Sequence, residues 1–273
     1  MTSERSTWPP DDRIRRAFAE TAKAYDDIAR RNFRRIALDL IAAVQVERSQ
    51  AVLDVACGSG LVGSLMRERG LGSPLGVDIS AAMIHLADGP RIVGDATALP
   101  LKDERFDIAI CSLGLQMLED PDVGLLEMHR VLARRGRIGV SMWGEESSTG
   151  ELDAAVRDVL DGLAARQPGY QDAALHVPQV AISSEADLSE AFSDCGFAEP
   201  RAWTRTKRTA FRGPEHYFSM LTVFPGTWIR LDRLGDEAED ARKQAVEAIA
   251  EVAGGTGPFE VTEDILMGTA VKP

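Results

Sequence analysis

Between residues 51 and 143 short apolar runs alternate with amphipathic stretches, and that rhythm predicts the architecture. Residues 51–55 are an apolar run of strand length that breaks into small residues and glycines, and residues 61–69 follow at helical spacing, ending at Gly70. The unit then recurs. Residues 75–77 read as a short strand closed by Asp78, and Ser80 can cap a helix over 81–87. Residues 91–93 form a third strand, closed by Gly94, Asp95 and Ala96. The run FDIAICSL at 106–113 is continuously apolar, as a strand buried on both faces should be. Asp120 and Pro121 read as N-cap and first residue of a helix to about 133, and residues 137–143 give a fifth strand. Strands alternating with helices at this spacing mean parallel βαβ units in a doubly wound sheet.

Outside that core the rhythm changes. Asp11 or Asp12 can cap a helix carrying Ile14, Phe18 and Ala22, and a second helical stripe runs through Ile28, Phe33, Ile36, Leu40 and Val44. The two patterns meet at Ala24, Tyr25 and Asp26, so a junction is expected there. Past residue 144 come a helix over 152–165, a Gln-Pro-Gly-Tyr loop and a helix over 185–195 with Gly196 at its end. Residues 201–211 read as a strand, 214–221 and 228–253 as helices interrupted near Gly235, and 259–271 as a last strand. Seven strands result. The expected organisation is N-terminal helices over 1–46, a core over 47–144, a helical lid insertion over 145–184, and over 185–273 the rest of the core with further lid helices.

Composition narrows the function. The 273 residues carry a formal net charge of −12, which argues against binding nucleic-acid phosphates. Cys57, Cys111 and Cys195 lie far apart without metal-ligand or disulfide spacing, so no metal site is expected and a reducing cytoplasm fits. No stretch reads as a signal peptide or a membrane span.

The chemistry gathers at AVLDVACGSGLVG, residues 51–63. A strand that ends in glycines before a helix places backbone N–H groups and a helix N-terminus at the carboxyl edge of a sheet. Read literally, Gly58 to Gly63 fit G-x-G-x-x-G, and Asp78 follows Gly60 by eighteen residues, which is the dinucleotide fingerprint with its ribose acid. An acid inside the strand, Asp54, points elsewhere. A dinucleotide strand is normally apolar up to its first glycine.

With the blocks VLDVACGSG, GVDIS, GDATALPL, FDIAICSLGLQML and RVLARRGRIGVSMW in this order, the chain resembles the class I S-adenosylmethionine (SAM) methyltransferases. It is most similar to the ubiquinone and menaquinone type and its natural-product relatives, over about residues 10–145. The resemblance implies a Rossmann-like methyltransferase fold, SAM as cofactor and S-adenosylhomocysteine as product. It implies that the turn from Ala56 through Cys57 and Gly58 to Gly60 lies against the methionine moiety and that Asp54 orients its ammonium. Asp78 would accept from both ribose hydroxyls, and Asp95 with Ala96 would bind the adenine amino group. Ile79 and Met83 would pack on the adenine, and Ser112 and Leu113 would approach the sulfonium. Tyr25, in the segment from Phe18 to Asp26, would fold over the cofactor.

For the acceptor, a small and fairly apolar metabolite methylated on oxygen or carbon, candidate walls are Gln116, Trp143, Tyr170, Phe218 and Trp228. His176 and His216 are the base candidates because both fall in lid segments. Two rivals stand beside this reading. One is a protein of the same fold that keeps SAM as a structural ligand for a rearrangement such as a cyclisation; the other is an NAD-dependent enzyme.

Overall fold

A computed structural model describes residues 12–118, 120–147, 149–166 and 182–273. Its centre is a seven-stranded sheet in the order β3-β2-β1-β4-β5-β7-β6. These strands are β1 (Val52–Val55), β2 (Leu75–Asp78), β3 (Arg91–Val93), β4 (Phe106–Ser112), β5 (Leu132–Ser147), β6 (Ala198–Phe211) and β7 (Phe259–Val271). The first five run parallel, and β7 lies antiparallel between β5 and β6. The doubly wound, mostly parallel sheet read from the sequence is therefore present.

Both faces of the sheet are covered, which is why β1 and β4 tolerate no polar alternation. On one face Leu53, Val55, Ala109 and Cys111 pack with α5 (Pro121–Val131) and α7 (Glu185–Asp194). On the other, Val52, Ile108 and Ile110 meet α2 (Arg34–Ala43) and α3 (Leu61–Glu68). Gly139 admits α2 closely, since a Cβ there would lie 2.4 Å from Val44 Cγ1. The caps follow the sequence. Ser80 Oγ accepts the Met83 N–H at the start of α4 (Ala81–Leu86), and the Asp120 carboxylate accepts from Asp122 and Val123 at the start of α5.

Two expectations about elements are corrected. The first helix does not break at Tyr25. α1 (Asp12–Asn32) runs through it, and the interruption falls at Phe33, a buried aromatic between α1 and α2. The fifth strand is longer than its apolar run, because β7 continues to pair with β5 as far as Ser147 opposite Glu263.

A third, separate cluster holds α6 (Gly150–Ala164), α8 (Pro214–Leu221), α9 (Pro225–Leu234) and α10 (Ala238–Val252) together. Leu160, Tyr217, Phe218, Ala245 and Ile249 lie at its middle. α6 and the C-terminal helices α8, α9 and α10 therefore form one layer, together with Phe211 of β6 and Val261 of β7. Among the described residues no helix is long and apolar enough to cross a membrane.

Candidate active site

The parallel strands β1, β2 and β3 each deliver an acid near their carboxyl ends. Asp54 lies within β1, Asp78 ends β2, and Asp95 follows β3 by two residues. Beside Asp54 the chain turns sharply. Ala56, Gly58 and Gly60 all have positive φ, at 52°, 53° and 82°. The turn is tied to the sheet by the Cys57 N–H, which donates to the Val77 carbonyl at 3.0 Å, and it closes through Gly60 N–H to the Cys57 carbonyl at 2.9 Å. Gly60 then starts α3, and a Cβ there would sit 2.7 Å from Ala87 Cβ. At Gly58 the space is open: the nearest atom to an added Cβ is Tyr25 Cε1, at 3.9 Å.

Asp78 fastens this turn to the next helix. One carboxylate oxygen accepts the Gly58 N–H at 2.7 Å and the other accepts the Ser80 N–H at 2.8 Å. Burial raises the Asp78 pKa, and these two hydrogen bonds oppose that rise. Asp54 has no such relief. It is 2% exposed, and burial followed by the nearby Asp78 charge pushes its pKa up to about 8; among the described residues neither a cation nor a hydrogen-bond donor offsets them. A buried carboxylate left in this state is costly unless a cation reaches it. Burial, then the Asp54 and Asp78 charges, raise the Cys57 thiol, whose Sγ contacts the Gly58 carbonyl at 3.7 Å. A cation beside Asp54 would offset the burial of its carboxylate.

Aromatic rings close one side. Tyr25 meets Phe18 edge-on at 5.9 Å and Phe224 at 6.1 Å, while Phe33 meets Trp143 edge-on at 5.8 Å. Burial, then the Asp78 charge, pushes the Tyr25 hydroxyl up to about 12, so it stays protonated. Phe33 and Phe224 were not singled out from the sequence. They come from segments about 190 residues apart, and no local pattern marks them.

Residues 53–140 match a family model described as a methyltransferase domain. A demethylmenaquinone methyltransferase of Renibacterium salmoninarum is 34% identical over 141 residues, which is 45% of this chain and 58% of that protein. Another, from Mycolicibacterium vanbaalenii, is 30% identical over 170 residues, covering 58% of this chain and 73% of the relative. The chain belongs to the class I SAM-dependent methyltransferases. It spans about half the length of the curated relatives it matches, from 47% to 58% for the first few. The solved phosphoethanolamine N-methyltransferase 2 of Haemonchus contortus superposes with a TM-score of 0.61, covering 98% of this chain and 61% of that one. At 16% identity that likeness speaks for the fold. The dinucleotide reading of the glycines is thereby overturned.

Within this methyltransferase the other expected site residues fall as follows. Asp95 Oδ1 accepts the Thr97 N–H and hydroxyl, at 2.8 and 2.7 Å, and Ala96 beside it is buried. Ile79 is half-buried next to Asp78, and Met83 is buried beneath α4. Ser112 Oγ lies 3.2 Å from Ser141 Oγ, and Leu113, at φ 57°, donates its N–H to the Ser141 carbonyl. Gln116 Oε1 accepts the Trp143 N–H at 2.9 Å, so it pins the strand end that carries the Trp143 ring.

Two acceptor-side choices, Phe218 and His216, are corrected by packing. Phe218 is fully buried in the α6–α8–α10 cluster with the Arg242 guanidinium 5.9 Å from its ring centre, so it is core rather than wall. Trp228 lies on α9 beneath the Arg16 guanidinium, at 5.4 Å. His216 Nδ1 accepts the Arg212 N–H at 3.2 Å, and its ring tilts against Phe211. It lines a separate cavity of about 550 Å³ whose walls are residues of α8, α10 and their loops, with none from the glycine turn. His176 and Tyr170 lie outside the described residues. Of the remaining histidines, His85 is exposed on α4 and His129 packs edge-on against Phe197 at 4.9 Å.

Packing also brings together a polar group that the sequence did not reveal. Tyr217, fully buried, donates its hydroxyl to Asp153 Oδ1 at 2.6 Å, and Lys207 Nζ lies 2.6 Å from Glu263 Oε2 while facing the Trp143 ring at 5.8 Å. Among the described residues no cluster of histidine, cysteine and acids is arranged for a metal ion.

Proposed function

We propose that this protein transfers a methyl group from SAM to a small-molecule acceptor. The observation that carries the reading is Asp54: a buried carboxylate, uncompensated by any protein cation, beside a left-handed glycine turn at the edge of a parallel sheet. The residues present suit a ligand with a positive end and a polyhydroxylated middle. Asp54 would neutralise the ammonium, and the open space over Gly58 would admit the ligand's backbone. Asp78 spends one lone pair of each oxygen on Gly58 and Ser80, which leaves acceptor capacity for two ribose hydroxyls. Asp95, Ala96, Ile79 and Met83 would border the adenine, while Ser112 and Leu113 would stand at the reacting end.

SAM, when bound, supplies a methyl carbon on a sulfonium that departs as a neutral thioether. The chain therefore has no leaving group to protonate. Its tasks are to hold the acceptor in line and to exclude water. Tyr25, Phe33, Trp143 and Phe224 suit the second task, since together they form an apolar wall beside the turn. Among the described histidines each is engaged or exposed away from that wall, which favours catalysis by proximity with an acceptor acidic enough to lose its own proton.

Calorimetric titration of SAM and S-adenosylhomocysteine tests the reading. Binding of both is expected, with Asp78→Ala weakening each by about 1.5–3 kcal/mol, the scale of hydrogen bonds to a charged partner. Circular dichroism controls for the lost turn contacts. Formation of S-adenosylhomocysteine from SAM with any acceptor separates methyl transfer from a rearrangement that keeps SAM intact. Absence of SAM binding by the folded protein would refute the proposal.

A further inference from the structure

A second cleft, of about 530 Å³, opens between the α1–α2 junction and the edge strand β6. Its charge runs against the molecule as a whole. Arg31, Arg35, Arg205, Lys207 and Arg208 line it, with Asp39 as the one acid of the lining, in a chain whose formal net charge is −12. The neutralisation is incomplete. Asp39 is shared between Arg35, at 3.0 Å, and Arg205, at 3.7 Å, while Lys207 is taken by Glu263. Among the described residues Arg31 has no ion-pair partner. Arg208 alternates to the other face of β6 from Arg205 and Lys207. Arg31 without a counter-charge, and Arg35 and Arg205 dividing one carboxylate, make a local excess of positive charge that attracts an anion.

The floor is apolar. Ile36, Ile265 and Met267 line the bottom of the same cleft and belong to the sheet-face core. At its inner side Lys207 faces the Trp143 ring, which in turn meets Phe33. The cleft thus adjoins the aromatic wall beside the glycine turn. We propose that it is an anion site, taking a carboxylate or phosphate whose attached apolar body lies on Ile36, Ile265 and Met267. Arg31 and Arg205 clamp the charged end, a task for which planar guanidinium groups suit both oxyanions. Under the methyltransferase reading, on which this last step rests, the occupant is an acceptor with one anionic end and an apolar remainder.

Pyrophosphate and citrate serve as probes, titrated into the full chain at low ionic strength, with S-adenosylhomocysteine titrated into the same preparation. Saturable binding of at least one probe is expected, weakened at least tenfold by the double substitution R31Q/R205Q, with S-adenosylhomocysteine affinity held within twofold. Pyrophosphate binding alone assigns a phosphate end, citrate alone a carboxylate end. Failure of both probes to saturate, or equal affinity in the double variant, would overturn the anion site. Loss of S-adenosylhomocysteine binding in the unsubstituted protein would strike the cofactor reading instead and leave the anion result standing.

Discussion

Asp54→Asn is the perturbation that asks most of this structure. In the ligand-free fold the Asp54 carboxyl titrates near 8 rather than at its ordinary 3.8, first because it is buried and second because Asp78 is close. A carboxyl whose pKa is raised on folding holds its proton longer in the native state than in the unfolded one. Between about pH 4 and about pH 8 the native protein therefore binds more protons, and its stability falls as pH rises through that window. At about 1.4 kcal/mol per tenfold change in proton affinity, the loss is on the order of 5 kcal/mol. Asparagine keeps the shape and cannot ionise. The variant should gain on the parent by about 3–4 kcal/mol between pH 5 and pH 8, as read from urea denaturation without ligand. Cofactor binding should reverse the preference. A cation at Asp54 favours the carboxylate, so SAM binding at pH 7 should release about 0.9 proton per site, measured calorimetrically in buffers of different ionisation enthalpy. The asparagine variant should release close to none and bind about 1.5–3 kcal/mol more weakly. A stability gap between the two proteins that stays constant from pH 5 to 8 would refute the buried, uncompensated acid.

Two further predictions separate local causes. Gly58→Ala and Gly60→Ala both force a side chain into a left-handed backbone, at about 1–2 kcal/mol, but only Gly60 also drives its Cβ against Ala87. Chemical denaturation should therefore show Gly60→Ala as the more destabilised, and equal losses would contradict the packing beside α4. Tyr217→Phe should cost about 1.5–3 kcal/mol, because Asp153 loses a buried donor; a thermal unfolding change within about 0.5 kcal/mol of zero would show the hydroxyl to be dispensable.

What the sequence disclosed and what it hid divide along the range of the contacts. The acids Asp54, Asp78 and Asp95 were legible because three consecutive strand ends of one parallel sheet must share an edge, so spacing along the chain already fixes proximity in space. The strands β1 and β4 were legible because burial on both faces leaves no room for alternation. β5 was cut short in the reading because its last residues, Gly144 to Ser147, are polar or small, and only pairing with β7 makes them strand. The helix break was misread for a related reason: no glycine or proline marks Phe33, which packs against the distant Trp143 and Phe224 rings. The aromatic wall beside the turn suffers most from this. Phe18 and Tyr25 share one face of α1, but Trp143 and Phe224 join that cluster from distant segments, whereas Phe218 and His216 looked attractive only because they lie in a segment read as lid. Helical phase turns Tyr217 and Phe218 inward to the α6–α8–α10 core and leaves His216 holding the Arg212 N–H. A sequence motif can therefore name the cofactor edge of such a fold, while the aromatic wall and the basic cleft beside β6 are made by contacts between distant segments.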